Sequence, residues 1–136
     1  NVGGYKDQYT DLPANVIVES WFPQPSVIPQ VDVVIHHGGN NSFTECLYFG
    51  RPAIVMPFAW DGHDNATRVQ ETGYGYQLNR ADWTPDALAA RVHDCLHDRT
   101  MRARLAATSA RMQAQDGAAK AARLLAELLE RNRRHG

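Results

Sequence analysis

With 136 residues, 43% of them hydrophobic and 21% charged, and a net charge of −1, the chain has the size and make-up of one globular domain, able to bury roughly two-thirds of the surface its unfolded form exposes. No apolar run approaches the roughly 20 residues needed to span a bilayer, which excludes a transmembrane helix. Residues 1–98 carry 5 Lys/Arg against 12 Asp/Glu and residues 99–136 carry 9 against 3, but the basic residues of the tail alternate with alanine and leucine at helical spacing, so a solvated helix face explains them better than nucleic acid.

The opening NVGGYKDQYT has no export signal and no initiating methionine, as expected of a fragment or processed chain. ANVIVES, residues 14–20, alternates enough to predict a strand after the turn DLP. WFPQPSVIPQ follows, and its three prolines predict an extended, irregular loop. VDVVI, Val31–Ile35, is β-branched and nearly all apolar, the pattern of a parallel strand buried on both faces. HHGGNN then leads to a helix predicted to open at Ser42 and stop at Gly50. Ala53–Pro57 is a second buried strand, FAWDGHDN a second polar loop, and a helix is expected from about Asp64 to Thr72 with its stop at Gly73.

YGYQL is a short third strand, and the remainder is helical. Thr84 is the expected N-cap and Pro85 the first residue of a helix with the stripe Leu88, Val92, Cys95 and Leu96. Two more helices follow, divided at Gly117. The last has the stripe Ala121, Leu124, Leu125 and Leu128 and an expected ion pair between Glu127 and Arg131. Repeated strand, loop and helix predict an α/β domain, a Rossmann-like parallel sheet with flanking helices and a helical C-terminal end. Cys46 and Cys95 lack metal or redox spacing and read as reduced, partly buried thiols of a cytoplasmic protein.

The chemistry concentrates at the ends of the strands, where open parallel sheets bind ligands. Gly38 and Gly39 leave backbone N–H groups unshielded ahead of a helix N-terminus, and His37, Asn41 and Ser42 add side-chain donors, an arrangement suited to phosphate. SFTE also reads as a capping box, in which Ser42 caps the helix and Glu45 reaches back. That reading leaves His36, His37 and the glycine pair unexplained. GGNN is not GxGxxG, no P-loop lysine is present, and Ser42 lacks a hydrolase elbow. Adjacent His36 and His37 point to opposite sides of an extended chain, which argues against zinc.

WFPQ at 21–24, HHGGNNSFTE at 36–45, FGRPAIVMP at 49–57 and DGHDN at 61–65 together resemble the donor-binding signature of the UDP-glycosyltransferase family, the inverting enzymes of the two-Rossmann GT-B architecture, in its bacterial form. The resemblance implies that Trp21 stacks on the nucleobase, that the backbone near Phe22 reads its edge, and that Gln24 and Glu45 meet the ribose. It implies a diphosphate held by His37, Gly38, Gly39, Asn41 and Ser42, and a sugar met by Asp61, Gly62 and His63. Gly62 departs from the glutamine common in the family, which bears on the identity of the sugar.

The same resemblance makes residues 1–136 a single, N-terminally incomplete donor-binding domain. The catalytic base and the acceptor site would belong to an absent N-terminal domain or separate chain, so the fragment alone is expected to bind without catalysing. The co-substrate implied is a UDP- or dTDP-sugar and the acceptor a small-molecule hydroxyl, with no metal, no other cofactor and no nucleic acid required. A nucleotide-sugar epimerase and a non-catalytic donor subunit are the alternatives.

Overall fold

A computed structural model of the chain describes residues 1–135. Three parallel strands, β1 (Val34–His36), β2 (Ala53–Val55) and β3 (Gly75–Gln77), lie in the order β1-β2-β3, with Val34 opposite Ala53 and Ala53 opposite Gly75. Helices α2 (Asn40–Tyr48) and α3 (Asp61–Glu71) make the crossovers, and α4 (Pro85–His97), α5 (Arg99–Gln113) and α6 (Gly117–His135) follow. This is the expected Rossmann-like sheet with a helical C-terminal end. No helix among the described residues is long and apolar enough to cross a membrane.

The core divides at β2, all three of whose residues are buried. Successive side chains of a strand point to opposite faces, so Ala53 and Val55 pack with Phe43 and Cys46 of α2 and Ala66 and Val69 of α3. Ile54 packs the other way, on Cys95 of α4 and Met101 and Leu105 of α5. A strand of three residues thus suffices to hold helices on both faces. Ser109 Oγ, 2.6 Å from the Tyr48 carbonyl, ties α5 to the C-terminal end of α2.

Local signals placed the helix ends. Gly50 (φ +65°) follows α2, with Arg51 N–H bonded to Cys46 O at 2.8 Å and Gly50 N–H to Leu47 O at 3.2 Å, the paired bonds of a Schellman stop. Gly73 (φ +67°) ends α3 in the same way, Tyr74 N–H reaching Val69 O at 2.9 Å. The Thr84 hydroxyl accepts from Ala87 N–H at 3.1 Å ahead of Pro85, as expected.

Several expectations are corrected. Residues 14–20 form a turn and irregular chain, with Ile17 exposed; a strand needs a neighbour's ladder, and this segment makes isolated bonds such as Val16 N–H to Pro13 O and Val2 N–H to Glu19 O. The proline-rich loop contains a helical turn, α1 (Gln24–Val27), running into a 3₁₀ turn (Ile28–Gln30), because Pro25 and Pro29 fall in first turns where no N–H is missed. Strand β1 starts at Val34 and is not buried on both faces: Ile35 is 49% exposed, its side chain lining an open hollow instead of packing under a helix. Helix α3 begins at Asp61, three residues early.

On the helical layer, Leu88, Val92 and Cys95 pack as predicted but Leu96 is exposed. Leu124, Leu125 and Leu128 are exposed too, so the stripe of α6 has no partner among the described residues. Glu127 and Arg131 form no ion pair there, and the break before α6 lies ahead of Gly117, where Asp116 caps Ala119 N–H at 2.9 Å. Both cysteines are buried and free. Leu105→Ala, emptying the core between β2 and α5, should cost about 2–5 kcal/mol in urea unfolding, whereas Leu125→Ser on the open face of α6 should change stability by less than about 0.5 kcal/mol.

Candidate functional site

The loops leaving β1 and β2 meet backbone to backbone. Gly38 (φ +92°) lies so near Gly62 that a Cβ on it would stand 2.7 Å from the Gly62 Cα and carbonyl oxygen, and a Cβ on Gly62 would stand 2.7 Å from the His37 carbonyl. Asn65, only 5% exposed, fixes this contact: its Nδ2 donates to the Gly38 carbonyl at 2.8 Å and to Asn40 Oδ1 at 2.9 Å. Asp61 Oδ2 accepts from Asn40 N–H at 3.3 Å, so the start of α3 is bound to the start of α2.

Beside this junction lies a cavity of about 460 Å³ lined by Gln24, His37, Gly39, Asn41, Ser42 and Glu45, with Asn40 at its wall. Gly39 precedes the first residue of α2, and a Cβ there would strike His37 Nε2, so the bare glycine lets the imidazole lie over the helix entry. The N–H groups of Asn41 and Ser42 have no intrahelical acceptor and carry the positive end of the helix dipole. Ser42 is the third helical residue and not the N-cap, which overturns the capping box. Gln24 Nε2 instead donates to both Ser42 Oγ and Glu45 Oε2 at 2.8 Å, holding the Glu45 carboxylate at the cavity.

His36 and His37 diverge: His37 is exposed and His36 half-buried. Burial, reinforced by His37, lowers the His36 pKa to about 4, so the ring is neutral at pH 7. Its Nδ1 accepts from Gly38 N–H at 3.0 Å, which places the proton on Nε2, a buried atom without a partner. The Gly38 amide is therefore already engaged, contrary to its expected part in holding an anion, and Gly38 serves the site by making room for Gly62. Burial, with Glu45 adding to it, pushes the Cys46 thiol up to about 12, and burial first, then Asp94, pushes Cys95 up to about 11, so neither is a nucleophile.

A second hollow of about 470 Å³ adjoins the first along β1 and includes Phe22, Gln24, Val31, Ile35 and His37. Phe22 and Gln24 are thus brought to the site. Trp21 is 73% exposed and lines neither hollow, and His63 is exposed on the first turn of α3. No group of three or more metal-ligating side chains exists among the described residues.

Three residues escaped the sequence reading: Asn40, Asn65 and Trp60. Asn65 had a signal, its place four residues after Asp61 on the same face of α3. Trp60 had none; its φ of +45° and ψ of −124° mark it as strained, a conformation costing of order 1–3 kcal/mol in a bulky residue.

Comparison with known proteins fits this geometry. Residues 3–128 match the family described as erythromycin biosynthesis protein CIII-like, C-terminal domain. The chain is 33% identical over 125 residues to the oleandomycin glycosyltransferase of Streptomyces antibioticus, covering 91% of this chain and 29% of that protein. The crystal structure of the kitacinnamycin glycosyltransferase superposes with a TM-score of 0.85 at 34% identity, over 93% of this chain and 33% of the other. The glycosyltransferase VinC, solved in complex with dTDP, gives 0.81 at 25% identity, over 92% and 32%. The chain spans 21–30% of the length of the first curated relatives it matches.

Because the folded His36 pKa, about 4, lies below its unfolded value of about 6.5, the unfolded state binds the extra proton between those limits. This contribution to stability is full above pH 6.5, declines as the pH falls, and is gone below about 4, a loss of at most roughly 3 kcal/mol. The difference in melting temperature between wild type and His36→Gln should therefore shift toward the variant between pH 7 and 4; a pH-independent difference would contradict the assigned state.

Proposed function

The chain belongs to the erythromycin biosynthesis protein CIII-like C-terminal domain family of glycosyltransferases, and on that premise we propose that its cavity binds the nucleotide of a UDP- or dTDP-sugar donor. The observation that carries this reading is the convergence of His37, the backbone amides of Asn41 and Ser42, the Ser42 hydroxyl and a Gln24-held Glu45 on one cavity. A diphosphate would lie over the helix entry, accepting from His37 and from the N–H groups of Asn41 and Ser42. Glu45, an acceptor beside that array, suits the paired ribose hydroxyls, which would take over donors' places now held by Gln24.

The base, uracil or thymine, would enter the hollow at Phe22, with Trp21 turning onto its face. The dTDP held by VinC supports thymine as one candidate. The sugar would extend toward Asp61, Gly62 and His63. In the full enzyme, a base from an acceptor-binding domain or chain would deprotonate a hydroxyl of a small molecule, and the alkoxide would attack the anomeric carbon with inversion as the nucleoside diphosphate leaves. The charge building on the leaving group would be met by His37 and the α2 dipole, so no metal is needed. Membership of a glycosyltransferase family sets the epimerase alternative aside. Two free buried thiols support a cytoplasmic setting.

Calorimetric titration with UDP and dTDP, with ADP and NAD as controls, should give saturable binding of one or both uracil and thymine nucleotides, unchanged by chelator. His37→Ala and Glu45→Ala should each weaken it by about tenfold or more, the scale of one charge-assisted hydrogen bond. Absence of binding by UDP and dTDP would refute the assignment; unchanged affinity in Glu45→Ala would remove the ribose role alone.

A further inference from the structure

The loop from β2 to α3 leaves two aromatic side chains in water, Phe58 at 71% and Trp60 at 90% exposure. Phe58 is engaged: the Arg80 guanidinium lies 4.9 Å from its ring centroid. Trp60 is not part of any aromatic or cation–π pair among the described residues. Its backbone, at φ +45° and ψ −124°, is one that glycine adopts freely and a bulky L residue does not.

Folding offers no return for placing tryptophan there, because the ring is not buried. The strain is held by neighbours that belong to the site. Gly62 N–H bonds to Ala59 O at 3.0 Å, His63 N–H bonds to Trp60 O at 3.1 Å, and Gly62 is wedged against the His37 carbonyl. Trp60 lines neither hollow, but it immediately precedes Asp61, which reaches the cavity wall through Asn40, and an exposed aromatic held in a strained backbone at that position points to a ligand.

We infer that Trp60 is a specificity-determining platform for the sugar of the nucleotide-sugar donor. This deepens the donor-site reading and rests on it. Pyranose rings carry hydroxyls around their edge and C–H bonds on their faces. Asp61, the next residue, is joined to the cavity wall through Asn40 N–H and supplies an acceptor for the edge; an indole supplies the complementary surface for a face.

The test separates nucleotide from sugar. Dissociation constants for UDP, dTDP, UDP-glucose and dTDP-glucose are measured on the wild-type chain and on Trp60→Ala, Trp60→Gly and Trp60→Tyr. UDP and dTDP affinities should stay within about twofold in every variant, while the gain or loss contributed by the sugar should shift by about five- to tenfold in the Ala and Gly variants and be retained in Tyr. Trp60→Gly should also melt at higher temperature, since glycine relieves the backbone; a merely structural tryptophan would not raise stability and lower sugar affinity in one substitution. Normal UDP or dTDP binding with an unmoved sugar contribution in Ala and Gly would overturn the inference and leave the donor site standing. Failure of the wild type to bind any of the four nucleotides would overturn both.

Discussion

Everything at the candidate site depends on one close approach, between Gly38 and Gly62. The two loops at the strand ends could not touch if either residue had a side chain, because each hypothetical Cβ falls within 2.7 Å of the other loop's backbone. Their contact sets the starting points of α2 and α3, and Asn65 converts it into a fixed geometry by spending both amide hydrogens across the gap. A buried amide with both donors satisfied is stable where it is and costly to disturb. The strands therefore do less to define the site than the pair of glycines between them.

Within that frame, polar groups are arranged in two classes. Some are closed internally: His36 takes the Gly38 N–H, Asp61 takes the Asn40 N–H, and both Nδ2 hydrogens of Asn65 are taken. Others are held open to the cavity: the Asn41 and Ser42 amides of α2, His37, and the Glu45 carboxylate steadied by Gln24. Internal closure gives rigidity and open groups give affinity, which is the division a preorganised anion site requires. The depressed pKa of His36 belongs to the first class, since a charged His36 could not accept from Gly38.

What was legible in the sequence was mostly local. The stops at Gly50 and Gly73 and the start at Thr84–Pro85 each depend on one residue's own backbone preference, and all three stand where expected. Strand identity at 14–20 depended on a neighbour that the segment does not have among the described residues. The three prolines at 23–29 predict irregular chain, yet two of them fall in first turns, where proline costs no hydrogen bond, and short helical turns form there. At the site, His37, Asn41 and Ser42 follow from residue type and Gln24 and Glu45 only from the family resemblance; all five converge on one cavity, while the helices start two or three residues earlier than their local signals indicate. The role of Asn65 and the backbone of Trp60 are tertiary facts, since each follows from how two loops meet.

Asp98 both closes α4, through its N–H to Asp94 O at 2.9 Å, and opens α5, by accepting from Met101 N–H at 2.9 Å. The two helices thus share one hinge residue with no linker between them, and the layer behind Ile54 behaves as a single elbow. Lengthening the chain there would rotate Met101 and Leu105 out of register with Cys95, whereas the exposed stretches at 79–83 and 114–116 can absorb added residues. Added length is thereby tolerated at those two stretches and resisted at the elbow, whose size the packing behind Ile54 sets.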